Sequence, residues 1–407
     1  MLMNNLSGKK LLFIAGGTEQ VNTIQWAVEQ GVKAYVVDIS ENAPAFPYAT
    51  ARLTCNIGDR KRILEFAKKH AIDGVTSICL ESTMHTTAYI VDELKLPGLS
   101  QKGAENVTNK YRMRTLFEKA GLPVPHYHLI TPELLEDDEF PGFDGPWVIK
   151  PVDNAGSRGV RMVQDRNCFK EAYRDALKFS RRAEVLIEEF VPGREISVEG
   201  YVIKGNLFVE TLSDKRRSPL PYLFDLNVTF PSRYPEHVQQ EAVRQIRNAV
   251  EALGIRDGPV HAELMVTKGE KIFIVEIAGR GPGSNVYTEI IPHVSGVYPS
   301  RLQVLSALNC LPEHINVNAP LRGATLHFFT SRARRRIKSF IGLDKLRGIP
   351  DVFECRFYLQ VGDIIEKCVS GEQRFGQLIT LSETLEEAIK VQKKALKLIK
   401  VELEAVD

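Results

Sequence analysis

No run in these 407 residues approaches the roughly 20 consecutive apolar side chains that a membrane-spanning helix needs. The opening stretch MLMNNLSGKKLLFIAGG is too short in apolar residues for a secretory signal, so a cytoplasmic chain without a membrane partner is expected. Net charge is nearly absent as well. Lys and Arg total 53 against 51 Asp and Glu, and at +2 the whole chain gives no reason to expect a nucleic-acid partner. The one basic run, Ser331 to Lys338, reads as a solvated surface segment. Cys55, Cys79, Cys168, Cys310, Cys355 and Cys368 lie far apart, with no Cys-x-x-Cys pair and no histidine at zinc spacing, so they read as reduced, buried thiols. His126 and His128 read as solvated. No serine or cysteine sits in a recognisable nucleophile motif. The turn AGGT at Ala15 to Thr18, with Asp38 after the next strand, lacks the spaced Gly-x-Gly-x-x-Gly of a dinucleotide site, and a substrate-binding or structural role suits it better.

What is present is an ordinary globular composition, 43% hydrophobic and 26% charged, on a chain long enough for two or three domains. The first hundred residues alternate strand and helix. LLFIA, AYVVD and GVTSICL read as buried strands. Val21, Ile24 and Val28 recur at helical spacing up to Gly31, Asp59 can cap a helix carrying Ile63, Phe66 and Ala67, and Met84 to Leu94 reads as a third helix. That series predicts a parallel, doubly wound sheet. The turn-rich stretch Gly121 to Pro146 marks a boundary or an exposed connection. Beyond it, WVIK deposits Lys150 at a strand end before a loop in which Gly156 and Gly159 allow tight bending. A lysine beside exposed backbone N–H groups suits an anion; a hairpin turn with a solvated lysine is the alternative.

Two strands joined at Lys204-Gly205-Asn206 follow, and pairing about that turn places Ile196 opposite Lys215, with Glu195 one residue from that row. After a helix with its apolar face at Val238, Ala242, Ile246, Ala249, Val250 and Leu253 comes the hairpin VHAELMVTKGEKIFIVEIAGR. If Gly269 and Glu270 are its two turn residues, Glu263 falls directly opposite Glu276, with Cβ atoms about 4.5–5.5 Å apart. Facing carboxylates repel unless a cation lies between them, and oxygen-only ligands favour magnesium over zinc. A structural ion pair with Arg280 or another base is the alternative.

Lys110 in TNKYRMR, Lys150 in VIKP, the loop GSRGV, the hinge EEFVPGREISVEG, and Glu263 and Glu276 running into Arg280 occur in an order that resembles the ATP-grasp superfamily of ligases. The resemblance extends over nearly the whole chain and implies an α/β (α+β) ATP-grasp fold. It implies an N-terminal Rossmann-like domain over 1–108, a small subdomain closing over ATP over 109–192, and a large subdomain with the substrate side over 193–407. In that likeness Lys110 and Lys150 neutralise phosphates, and Ser157, Arg158 and Gly159 close over them. Glu188, Glu189, Phe190 and Val191 bond adenine through the main chain, Glu195 takes the ribose hydroxyls, and Lys215 joins the phosphate end. Glu263 and Glu276 would hold magnesium, with manganese as the other option, and Arg280 would grip the carboxylate or its acyl phosphate. Substrate choice would fall to Ser284, Asn285, Glu81 and Arg322.

The likeness is to the amino-acid-ligase and biotin-carboxylase-like branches, because GPGSNVYTEIIPHVSGV replaces the Pro-His segment of the purine-biosynthetic branch. Many relatives carry Glu-x-Asn where this chain reads Glu276-Ile277-Ala278. The implied activity is an enzyme joining a small carboxylic acid, such as an amino acid, to an amine through an acyl phosphate, with release of ADP and phosphate. A purine-type enzyme acting on a phosphoribosyl substrate and an ATP-binding module without catalysis stay open, as does a homodimer.

Overall fold

A computed structural model describes residues 6–137, 139–311 and 322–406. The N-terminal strands form one parallel sheet in the order Ala51–Thr54, Lys33–Asp38, Lys10–Ile14, Gly74–Thr76. Successive side chains of a strand point to opposite faces, so Leu11 and Phe13 meet the helix Thr18–Glu29 while Leu12 and Ile14 meet the helices Arg60–His70 and Met84–Leu94. The helix Pro299–Ala307, far along the chain, joins the first of these cores through Val304 and Ala307. Asp59 caps its helix by accepting from the Arg62 amide. GVTSICL is extended only over Gly74–Thr76, shorter than expected, because the chain turns into the cleft at Cys79, whose φ is +63°. Asp38 accepts from the Gly16 amide at 2.7 Å, a local bond that gives the AGGT turn a structural role.

A small antiparallel sheet follows, in the order Tyr127–Ile130, Val185–Glu189, Trp147–Pro151, Arg161–Val163. An eight-stranded sheet forms the rest of the body: Ile272–Ala278, Gly258–Val266, Arg194–Ile203, Asn206–Arg217, Asp225–Phe230, Gly323–Phe329, Gly376–Ser382, Val352–Phe357. The helix Glu236–Leu253 covers one face, taking Ile196, Val198 and Leu264 into the largest core. The alternate residues, Glu195, Ser197 and Glu199, therefore point the other way, toward the small sheet. Arg335–Ile341, which holds most of the basic run, pairs in a third small sheet with Arg335 and Arg336 exposed.

Two registers are set by bulges. The hairpin after Val266 closes through a longer loop, Thr267 to Lys271, and a bulge at Val275 restores the count, so Glu263 does pair with Glu276. The other register differs from expectation. Lys204 and Gly205, both at positive φ, form the two-residue turn, and a bulge at Glu210 shifts the strand beyond it. Ile196 therefore faces Asp214, and Lys215 reaches the row of Glu195 itself.

Candidate active site

The two antiparallel sheets face each other across a cleft of about 600 Å³, closed at one end by Cys79 to Ser82 of the N-terminal domain. Lys110 opens the helix Lys110–Lys119, which Asn109 caps. Its Nζ reaches the Asn154 carbonyl at 2.7 Å and Glu276 at 3.1 Å. Burial opposes its charge, but Glu276 and Glu81 overcome that and raise its pKa. Arg114, one turn later on the same face, pairs with Glu188 at 2.8 Å and donates to the Val275 carbonyl. Lys150 pairs with Glu188 from the other side, and burial pulls its pKa down to about 8 despite that partner. Sequence reasoning missed Arg114, although its spacing of four from Lys110 was visible.

The loop after Lys150 is latched over the cleft. Ser157 sits at φ +58° and its hydroxyl donates to the Leu223 carbonyl, and Gly371 donates its amide to Gly156 at 3.0 Å. Arg158 pairs with Glu372 at 2.8 Å. Gly159, at φ +71°, leaves no space for a side chain, since a Cβ would lie 2.9 Å from Phe179. Glu188 to Val191 line the cleft, but Glu189 and Phe190 donate their amides to His126 and Pro146, which removes those two donors from contact with a bound nucleotide.

On the large sheet, Lys215 is enclosed by Glu195 at 3.0 Å, Asp225 at 3.3 Å and Glu263. Glu195 is 3% exposed, shares itself between Lys215 and Arg217, and does not line the cleft, so its carboxylate is not presented to a ribose. Glu263 receives a second cation. His261 pairs with Glu199 at 2.9 Å and turns its Nε2 toward Glu263 at 3.4 Å. Burial alone would lower the His261 pKa, but Glu199 overcomes it and holds it at about 9. Burial alone would raise the Glu263 carboxyl, yet Lys215 and His261 hold it well below the usual carboxylate range. Both facing glutamates are thus ion-paired, to different bases, and neither pairs with Arg280. Oxygens of Glu195, Asp225 and Glu263 lie within 4.8 Å of one another. The alternation His261-x-Glu263 was legible in the sequence; Glu199 and Asp225 were not, because they arrive from other strands.

Arg280 stands at the N-terminal end of the cleft, its Nη2 3.4 Å from Glu81 and its Nη1 donating to the Gly281 carbonyl. The Ser284 amide donates to Glu19 at 2.7 Å and the Asn285 side chain to Glu354 at 2.9 Å. Ser284 lines the cleft, whereas Arg322 pairs with Glu383 at 3.6 Å outside it.

Residues 143–289 match the ATP-grasp domain, and residues 327–404 match the L-amino acid ligase C-terminal domain 2. The chain carries an ATP-grasp domain. Among solved structures it is similar to an L-amino acid ligase from Bacillus licheniformis, with a TM-score of 0.84 at 22% identity over 98% of this chain and 100% of that one. It is 26% identical over 300 residues to the alanine–anticapsin ligase of Bacillus subtilis strain 168, covering 66% of this chain and 62% of that protein. It is 24% identical over 404 residues, 97% of each chain, to the formate-dependent phosphoribosylglycinamide formyltransferase of Sulfolobus acidocaldarius. The ATP-grasp fold is thus the one these sheets form. No helix among the described residues is long and apolar enough to cross a membrane.

Proposed function

We propose that this ATP-grasp protein activates an amino acid as its acyl phosphate and joins it to an amine, releasing ADP and phosphate. The observation that carries this reading is the Arg280–Glu81 pair at the end of the cleft, a cation for a carboxylate and an anion for an ammonium group 3.4 Å away. A phosphoribosyl substrate would bring a dianion beside Glu81 and Glu19. The match of residues 327–404 supports the same branch.

Lys110 and Lys150 would hold the phosphates of ATP, the Ser157 to Gly159 loop would cover them, and main-chain groups near Val191 would meet adenine. Each lysine now neutralises a glutamate, so phosphate oxygens would take over cations already placed. Glu263, Glu276 and the oxygens near them are hard donors, Glu263 is held ionised, and both side chains remain partly open to the cleft at 26% and 18%, a set that fits magnesium or manganese. When bound, such an ion supplies charge neutralisation on the transferring phosphoryl group. Arg280 would orient the attacking carboxylate oxygen toward the γ-phosphorus. The amine then displaces phosphate at the acyl carbon, the C–O bond breaks, and the ammonium proton is lost to solvent or phosphate. No side-chain nucleophile is required.

The near full-length match to a formyltransferase favours a second reading, a purine-type ligase. Incubating the protein with ATP, magnesium and pooled amino acids, against phosphoribosyl amines with formate, separates the two. ADP and phosphate released only with amino acids are expected; AMP and pyrophosphate would remove the acyl-phosphate mechanism altogether.

A further inference from the structure

Behind Arg280 lies a second, smaller cavity of about 70 Å³, between the N-terminal domain and the turn at Gly258. It shares Leu80 and Arg280 with the main cleft, so it adjoins the place where a carboxylate would be gripped. Its walls carry an unusual concentration of unsatisfied groups. Among the described residues, five buried side-chain polar atoms without a hydrogen-bond partner, Ser77 Oγ, Thr87 Oγ1, Tyr201 Oη, Gln303 Oε1 and Arg280 Nε, belong to residues lining this one cavity. Ser77 is only 9% exposed. Gln303 is oriented by its own amide, which donates to the Ser77 carbonyl at 2.9 Å and leaves the oxygen free. Buried polar atoms are ordinarily paired, so a cluster of orphans around a void calls for a polar occupant.

We propose that this cavity is a side-chain pocket for the carboxylate substrate and selects an uncharged group that both donates and accepts hydrogen bonds, a hydroxyl or a carboxamide. The proposal rests on the amino-acid reading above and deepens it. Donor and acceptor chemistry decides the class. Arg280 Nε can only donate and Gln303 Oε1 can only accept, while the Ser77 and Thr87 hydroxyls do either. An ammonium group would leave Arg280 Nε unpaired beside a second cation. A carboxylate offers nothing to Gln303 Oε1 and would face Asp257, which also lines the cavity. An aliphatic group would leave all five atoms unpaired. The volume exceeds the roughly 30 Å³ share of one water and suits the tip of a short side chain.

The test compares near-isosteric amino acids as carboxylate donors, with ADP release as the readout: threonine against valine, and asparagine against leucine. Threonine and asparagine should exceed their apolar partners in kcat/KM by about tenfold to a hundredfold, the cost of leaving a buried polar group unpaired. Thr87→Val and Gln303→Met should each bring the threonine-to-valine ratio toward one while leaving the KM for ATP unchanged. Valine used as well as threonine, or ratios untouched by both substitutions, would mean that the cavity holds only buried water and would overturn the pocket while leaving the ligase reading intact. No ADP release with any amino acid would overturn the ligase reading, and the pocket with it.

Discussion

Replacing Lys150 with methionine should stabilise the protein without nucleotide and cripple its use of ATP. Lys150, Glu188 and Arg114 form a buried triad with one net positive charge, all three side chains at most 6% exposed. Burial lowers the Lys150 pKa from 10.5 to about 8, which corresponds to a penalty of about 3 kcal/mol for keeping it charged at neutral pH. Methionine removes that penalty and fills similar space. Glu188 keeps Arg114 at 2.8 Å, so no carboxylate is stranded, and a net gain of about 2 kcal/mol is expected. Thermal melts at pH 7 without nucleotide should rise by a few degrees. Affinity for ATP should fall about tenfold to a hundredfold, the worth of one charge-assisted contact to phosphate. Between pH 8 and about 10.4 the unfolded chain keeps a proton that the folded lysine has released, so raising the pH there favours the folded protein. The advantage of the variant should therefore shrink across that window. A variant that melts lower at pH 7 and binds ATP as before, by calorimetry, would refute both the energetics and the phosphate role.

Glu276→Gln takes the carboxylate from buried Lys110, which keeps the Asn154 carbonyl, so stability should fall by about 3 kcal/mol while ADP release drops by orders of magnitude; melting and turnover on one preparation check both. His261→Gln removes a group whose folded pKa, about 9, lies above its ordinary 6.5. Its stabilising contribution is complete below pH 6.5 and lost as pH rises through 9, so the stability gap between wild type and variant should close over that range in denaturant titrations. Glu372→Ala frees Arg158 from an exposed pair worth under about 1 kcal/mol, so the melting temperature should hold while limited proteolysis cuts the 153–160 loop faster in the absence of ATP.

Much of this protein is written in short-range sequence signals. The Asp59 cap, the limits of the helix Met84–Leu94 and the parallel N-terminal sheet follow from periodicity and capping within a few residues, and the structure reproduces them. Glu263 facing Glu276 was reached by counting back from a two-residue turn. The actual loop is longer and a bulge at Val275 compensates, so the pairing stands for a reason the count did not contain. The same count failed at Lys215, because a bulge at Glu210 moved it onto the row of Glu195. Bulges depend on what packs against both faces of a strand, and no local pattern encodes that.

Only the tertiary structure decided which charges meet. Arg114 and Lys150 converge on Glu188 from a helix and a strand, Glu199 reaches His261 from a neighbouring strand 62 residues away, and Glu195 is buried beneath Lys215 and Arg217. Arg322, by contrast, is carried outside the cleft to Glu383. Sequence supplies the residue types and the face of each strand, because side chains alternate with fixed period. Burial and long-range pairing supply the pKa values and the partners, because a charge is set by everything within a few ångströms of it, whichever part of the chain that comes from.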